Sequence, residues 1–278
     1  MPELPEVETT RRGLADSLEG QLIERVTVRE RRLRQPIAAD FEKKLAGRRL
    51  TRLERRAKYL LGTLDSGAIW VCHLGMSGSF RLLAGGNGTA PGRHDHVVLD
   101  LGSGHRLLFN DPRRFGLMML IDDAAGLERH PLFRHLGPEP LGNRFNGPAL
   151  AARLKGRRGP VKSALLDQKV VAGIGNIYAS EALYRAAISP RRRAATIAGQ
   201  RAERLARAIR AVLAEAIEAG GSSIRDHARV DGTLGYFQHA FQVYDRAGRE
   251  CGRAGCGGII RRIVQSGRAS FYCPGHQR

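Results

Sequence analysis

Three of the four cysteines in this 278-residue chain, Cys251, Cys256 and Cys273, fall in its tail, and His276 follows the last of them. The spacing Cys251-x4-Cys256-x16-Cys273-x2-His276 places two ligand pairs around a hairpin-sized stretch. That pattern suits tetrahedral zinc held by three thiolates and one imidazole. The intervening GGIIRRIVQSGRASFY alternates like two strands around Ser266-Gly267. A segment this short has little core of its own, so one structural Zn2+ is expected to supply much of its folding energy. The opening MPELPEVETTRRGL is rich in Glu and has no apolar run, so it does not read as a secretory leader. Clustered cysteines in such a chain point to metal and not to disulfides. Cys72, inside IWVCHL, reads as a buried core thiol.

Ahead of that tail the chain changes character once. Leu4–Leu18 reads as a helix with Pro2 and Pro5 near its start, where a missing N–H costs nothing. Short β-like runs follow at Leu22–Val28, Tyr59–Leu64, Ile69–Leu74, Val97–Leu101, Arg106–Phe109 and Gly116–Ile121. Ser66-Gly67, Asn87-Gly88 and Ser103-Gly104 punctuate them, as in a sandwich or barrel-like domain. From about Gly147 the pattern turns helical, at Pro148–Leu154, Val161–Asp167, Asn176–Ala186 and Thr196–Ala219. The last of these is the clearest. Leu205, Ile209, Val212, Leu213, Ala216 and Ile217 share one face, and Gly220-Gly221 ends it. Gly232–Gln242 reads as a glycine-containing loop entering a short strand. The fold class is therefore α+β and multidomain, with a β domain, a helical domain and a metal-stapled tail.

Lys and Arg number 46 against 27 Asp and Glu, a formal net charge of +19. The excess is spread over Arg29–Arg34, Arg52–Lys58, Arg191–Arg193 and Arg261–Arg262 and is not massed in one disordered block. A folded surface this basic suits a polyphosphate partner, because phosphate contacts release condensed counterions. Charge alone also fits a basic ribosomal-type or merely high-pI protein; it indicates nucleic acid and does not indicate an enzyme.

The N-terminus offers chemistry. Removal of Met1 before the small Pro2 would leave a secondary amine. An α-amine with a pKa near 8 is about a tenth neutral at pH 7, whereas a lysine near 10.4 is neutral to only about 0.04%. A helix N-terminus and nearby cations lower that pKa further. Such an amine is suited to Schiff-base formation, with Glu3 beside it as a proton donor.

MPELPEVETTRRGL closely resembles the N-terminus of the bacterial formamidopyrimidine-DNA glycosylase family. Further blocks similar to that family recur in order: RRAKYL around Lys58, HLGMSGSF at 73–80, RHDHV at 93–97 and DPRRFG at 111–116. They continue with LLDQKVVAGIGNIYASEAL at 165–183, DGTLGYFQ at 231–238 and the cysteine tail, so the resemblance runs the whole chain. It implies an N-terminal β-sandwich with flanking helices, a helix–two-turn–helix domain and a C-terminal β-hairpin zinc finger. The expected segments are 1–130 catalytic, 131–147 linker, 148–230 DNA-binding, and 231–278 lesion loop and finger.

The resemblance makes Pro2 the nucleophile at the sugar C1′ and Glu3 the general acid in sugar ring opening. Lys58 becomes a catalytic lysine that contacts phosphate and helps the eliminations, and Arg268 an arginine that grips the lesion-flanking phosphate. Met76, Arg113 and Phe115 match a wedge that fills the gap left by an extruded base. His94, Arg113, Arg158, Lys162 and Asn176 are expected to grip phosphates, Asn176 from a glycine-rich turn that opens a helix. Glu6, Ser77 and the segment Ser222–Tyr236 are expected to line the flipped-base pocket.

This sequence departs from the family pattern in its finger, where the first pair is usually spaced by two residues and the fourth ligand is Cys. It also has Ala57 where a Gly usually precedes the catalytic lysine, a change expected to be harmless. The implied activity is a bifunctional glycosylase and abasic-site lyase that excises 8-oxoguanine and formamidopyrimidines from duplex DNA by β,δ-elimination. The partner is duplex DNA with oxidised bases, and the protein is expected to be a monomer in the bacterial cytoplasm, without a membrane span. One rival is an endonuclease VIII-like preference for oxidised pyrimidines, whose start typically reads PEGPE where this chain has Pro2-Glu3-Leu4-Pro5-Glu6. The other is a non-catalytic zinc-containing DNA-binding protein, which would need neither Pro2 nor Glu3.

Overall fold

A computed structural model of the chain describes residues 2–84, 90–222 and 235–278. The chain divides into two compact units. The first comprises Met1–Arg134 with Gly220–Tyr236, and the second His135–Ala219 with Phe237–Arg278.

The first unit opens with α1 (Leu4–Leu18) and β1 (Leu22–Val28), then α2 (Phe41–Leu45) and β2 (Arg48–Arg56). It continues with β3 (Tyr59–Leu64), β4 (Ile69–His73), β5 (Ser79–Leu83), β6 (Asp95–Leu101), β7 (Arg106–Asn110), β8 (Leu117–Ile121) and α3 (Ala124–Arg129). The strands follow the order β5-β7-β6-β1-β2-β3-β4-β8 and pair antiparallel throughout. The β1–β2 link is thin, only Leu22↔Arg49 and Ile23↔Arg48, so two four-stranded layers fold over one another there. Alternate residues of both layers meet in one core: Val97, Leu99 and Leu101 from β6, and Leu60, Trp70, Cys72 and Met118 from β3, β4 and β8. Trp70 stands edge-on to Phe80 with ring centroids 5.9 Å apart. Gly62 makes room for it, since a Cβ there would lie 3.0 Å from the indole and 2.7 Å from Leu50. Val7, Leu14 and Leu18 of α1 complete the same core.

β2 and β5 were not legible in sequence, and β2 shows why. Its buried leucines are Leu50 and Leu53, three apart, a spacing that imitates a helix. The pairing with β3 slips between Leu50 and Arg52, and the extra residue of that irregularity turns a period of two into three.

The second unit holds α4 (Gly147–Leu154), α5 (Val161–Leu165), α6 (Asn176–Arg185), α7 (Gly199–Glu218) and a terminal hairpin of β9 (Arg261–Gln265) and β10 (Arg268–Tyr272). α7 buries the leucine–isoleucine face expected of it and packs on α4 and α6. Ser266 and Gly267 both have positive φ, 48° and 73°, the conformation a two-residue hairpin turn requires. Phe237–Ala240 forms a 3₁₀ turn where the sequence suggested a loop entering a strand. The segment leading to the hairpin is tied to α6 by buried Glu181, whose carboxylate accepts the backbone N–H groups of Gln242, Val243 and Tyr244 at 2.8–3.0 Å. No described helix is long and apolar enough to cross a membrane.

Candidate active site and metal centre

Glu3 is the N-cap of α1, and it forms a reciprocal capping box with Glu6. Glu6 Oε2 accepts the Glu3 backbone N–H at 2.8 Å, while Glu6 Oε1 accepts both the N–H and the hydroxyl of Ser222 at 2.9 Å. The two oxygens of this buried carboxylate thus fix the helix start and hold residue 222 against it. Pro2 is buried immediately before the cap, at the positive end of the helix dipole. Glu3 is 2% exposed. Glu6, expected only to line a pocket, is a structural brace.

Lys58 sits in the two-residue turn between β2 and β3 and is 6% exposed. Its neighbour Ala57 has φ of +54°, a left-handed conformation that favours glycine. The alanine costs roughly 1 kcal/mol there, and Arg55 Nη1 steadies the turn by donating to the Ala57 carbonyl at 3.1 Å. His73, across from Tyr59 on β4, is pushed down to about 4 by burial and by the positive charges of Lys58 and Arg34. It is therefore neutral at physiological pH, and its Nδ1 accepts the Gly75 N–H at 2.9 Å.

That bond starts the loop carrying Met76. A second loop, 111–116, carries Arg113 and Phe115, and the two loops touch: a Cβ on Gly75 would fall 2.3 Å from the Phe115 carbonyl carbon. Met76 and Phe115 are 39% and 45% exposed, unusual for large apolar side chains. The exposed Arg113 guanidinium lies 4.8 Å from the Phe115 ring centroid, a cation–π arrangement. Buried Asp111 organises both loops. Its Oδ1 accepts the Ser77 hydroxyl at 2.6 Å, its Oδ2 accepts the Gly116 N–H at 2.7 Å, and Ser77 Oγ in turn accepts the Arg113 N–H at 3.1 Å. Ser77 is thus engaged in building the loop. Half-buried His94 joins the same region by accepting the Asp111 N–H on its carbonyl at 3.0 Å.

Sequence reasoning missed Asp111, because a lone Asp before Pro carries no signal of its partners. Asp111→Ala should orphan two buried donors, each worth about 1–3 kcal/mol. The variant should therefore unfold at clearly lower urea concentration than wild type, with an unchanged m-value. An unaltered midpoint would show that the carboxylate does not hold the loops.

In the second unit, Arg158 is exposed and Arg268 is exposed at the first position of β10, directly after the turn. Lys162, expected to grip phosphate, lies inside this unit. It is 1% exposed, and its ammonium donates to Asn176 Oδ1, the Ala269 carbonyl and Ser270 Oγ at 2.7, 2.7 and 2.8 Å. Three bonds match the three donors of an ammonium. Lys162 thereby fixes the start of α6 and the residues next to Arg268, and it brings positive charge to both without facing solvent. Asn176, with Oδ1 committed, has Nδ2 as its donor. Gln168 shapes the preceding glycine turn by accepting the Gly173 N–H at 2.8 Å and donating to the Ile174 carbonyl at 2.9 Å.

Among the described residues, one ligand atom from each of Cys251, Cys256, Cys273 and His276 gathers within 4.8 Å of the others. Cys256 Sγ lies 3.5 Å from Cys273 Sγ, and His276 Nδ1 lies 3.5 and 3.6 Å from the sulfurs of Cys251 and Cys256. A tetrahedron with metal–sulfur bonds near 2.3 Å has edges of about 3.8 Å, so the set fits one metal ion. Two glycines leave room for the sulfurs, since a Cβ on Gly258 would meet Cys273 Sγ at 2.6 Å and one on Gly275 would meet Cys256 Sγ at 3.0 Å. Cys72 is apart from this group, and burial pushes its thiol far up. Residues 223–234, part of the expected pocket segment, lie outside the described residues, as do Met1 and the Asn87-Gly88 turn.

Residues 1–118 match the family described as formamidopyrimidine-DNA glycosylase N-terminal domain, and residues 136–228 its H2TH domain. A formamidopyrimidine-DNA glycosylase of Beijerinckia indica is 55% identical over 291 residues, covering all of both chains. The crystal structure of the MutM (Fpg) protein of Thermus thermophilus superposes with a TM-score of 0.87 at 42% identity, over 99% of this chain and 98% of that one. A mutant Fpg of Lactococcus lactis in complex with a Fapy-dG-containing DNA superposes with a TM-score of 0.90 at 32% identity over the full length of both.

Proposed function

The chain belongs to the formamidopyrimidine-DNA glycosylase family, repair enzymes that act on damaged DNA, and we propose that it excises oxidised purines from duplex DNA and then cuts the strand through an N-terminal proline Schiff base. The observation that carries this reading is the start of α1. Pro2 stands directly before a capped helix, with Glu3 as the cap and Glu6 bracing it. Loss of Met1 turns Pro2 into a secondary amine at the positive end of a helix dipole, where its neutral form is favoured.

That amine attacks C1′ of the damaged nucleotide, the C1′–base bond breaks, and the base departs with a proton. Glu3 delivers a proton to the ring oxygen as the sugar opens, leaving an iminium between proline nitrogen and C1′. The iminium acidifies C2′. Loss of a C2′ proton expels the 3′ phosphate, and a second elimination expels the 5′ phosphate. Lys58 and Arg268 take the phosphate-binding roles in these steps. The Met76, Arg113 and Phe115 loops fill the space left by the extruded nucleotide, with Arg113 meeting the orphaned base. Arg158, Asn176 and His94 bind the backbone, and Lys162 supports Asn176 from within.

The substrate class comes from DPRRFG and the Pro2–Glu6 start, together with the Fapy-dG lesion in the Lactococcus lactis complex. Labour divides along the chain as 1–130 catalytic, 131–147 connecting, 148–230 DNA-binding and 231–278 lesion loop and finger. Cys251, Cys256, Cys273 and His276 hold one structural zinc ion, which contributes folding energy to the tail. The protein acts as a cytoplasmic monomer on duplex DNA.

Incubating the protein with an 8-oxoguanine duplex in borohydride tests the reading, because hydride reduces the iminium to a stable amine. A covalent protein–DNA adduct carrying the N-terminal peptide is expected. Base release without any adduct would refute the proline mechanism, and an adduct formed on oxidised pyrimidines alone would favour the endonuclease VIII-like reading.

A further inference from the structure

Tyr184 occupies the last turn of α6, where carbonyls lack intrahelical partners. Its side chain and its backbone both reach the metal ligands. The hydroxyl oxygen lies 3.2 Å from Cys251 Sγ. The backbone carbonyl lies 3.4 Å from His276 Nε2. The two rings meet edge to face with centroids 4.6 Å apart and planes at 78°. Tyr184 also packs in one buried cluster with Val243, Cys251, Ile260, Phe271 and Cys273. A helix of the DNA-binding domain thus closes over one side of the finger.

The hydrogen-bonding sense follows from the chemistry of the atoms. A carbonyl only accepts, so His276 Nε2 carries the proton, and the lone pair lies on Nδ1. Nδ1 is the atom that points to the cysteine sulfurs. A thiolate only accepts, so the Tyr184 hydroxyl donates to Cys251 once that sulfur is ionised by a metal. The Ala187 N–H shares the same carbonyl at 3.0 Å, which fixes its direction.

We propose that Tyr184 is a positioning residue for the metal centre, holding His276 in the Nδ1-binding tautomer through its carbonyl and hydrogen-bonding the Cys251 thiolate through its hydroxyl. The proposal rests on reading the cluster as a zinc site. It accounts for how this chain uses a histidine as the fourth ligand. An imidazole is longer than a cysteine side chain and can bind through either nitrogen, so it needs an external partner to choose one. Tyr184 is that partner, and it makes metal retention depend on α6 as well as on the hairpin.

Tyr184→Phe keeps the ring against His276 and removes only the hydroxyl. The zinc-loaded variant should still carry one metal per chain, yet lose it to a chromophoric chelator at about 10- to 100-fold lower chelator concentration than wild type. In cobalt-substituted protein, its thiolate-to-metal charge-transfer band should move to lower energy, because the sulfur lone pair is no longer stabilised by a donor. Unchanged retention and an unchanged band would overturn the hydroxyl's role. Imidazole ¹⁵N shifts of zinc-loaded wild type provide a readout independent of any variant: Nδ1 should be metal-bound and Nε2 protonated. Metal on Nε2 would overturn the carbonyl's role. A wild-type protein that binds no metal would sink the zinc reading itself, and the proposal with it.

Discussion

Replacing Pro2 with glycine should lower excision of 8-oxoguanine by on the order of 10²-fold while leaving affinity for lesion-containing duplex nearly unchanged. The loss has two physical sources. A secondary amine condenses with C1′ to give a cationic iminium directly, whereas the primary amine of glycine gives an imine that must be protonated before it can draw electrons. The proline ring also locks rotation about the N–Cα bond, so the nitrogen lone pair keeps one direction, whereas the free amine of glycine can rotate. Binding should persist because Pro2 contributes no phosphate contact. The measurement is a single-turnover excision rate beside a gel-shift affinity on the same duplex. A companion experiment blocks the amine altogether. A tag that prevents Met1 removal makes residue 2 an amide nitrogen with no lone pair to donate, and both excision and borohydride trapping should vanish. Full activity from the tagged protein would sink the proline mechanism and move attention to Lys58.

Arg113 and Phe115 carry the second large effect. Changing both to Ala should slow excision from duplex DNA strongly but affect strand cleavage at a preformed abasic site much less, since there is no base to extrude. The structure supports treating them as one unit. The guanidinium already lies over the Phe115 ring at 4.8 Å, and Ser77 and Asp111 hold the loop that bears them. A wedge held together before binding would lose less side-chain freedom when the duplex arrives. Arg113 should also set opposite-strand preference. Cytosine offers acceptors to a guanidinium and adenine offers no equally good match, so wild type should excise 8-oxoguanine opposite cytosine faster than opposite adenine. Arg113→Ala should flatten that ratio by about 5- to 150-fold, the effect of losing one base-edge contact of roughly 1–3 kcal/mol. Equal excision opposite both bases in wild type would remove the assignment. An Arg113 variant that loses abasic-site cleavage as completely as base removal would make Arg113 a general binding residue.

Sequence alone was sufficient wherever the determining interaction is local. The start of α1 follows from Pro5 in its first turn, where a missing N–H costs nothing. The amphipathic face of α7 and its glycine stop are read from 3.6-residue periodicity. The β9–β10 turn is legible as Ser266-Gly267, and the four metal ligands as a spacing whose atoms do gather. Met76 was legible as an exposed side chain because glycines flank it.

Tertiary structure decided what depends on partners far along the chain. Lys162 looks like any surface lysine of a basic protein until the β10 residues Ala269 and Ser270 accept two of its hydrogen bonds. Glu6 joins residues 3 and 222, and Asp111 joins Ser77 to Gly116. Ala57 looks like a harmless replacement for glycine until the turn demands a positive φ. β2 stayed hidden because an irregularity in its pairing with β3 rewrote its burial period. Tyr184 reads as one more apolar helix residue, and only the fold brings its hydroxyl to Cys251 and its carbonyl to His276. Periodicity and spacing report how a residue relates to its chain neighbours. The pairing of a buried polar group is set by which distant donor or acceptor the fold places within about 3 Å.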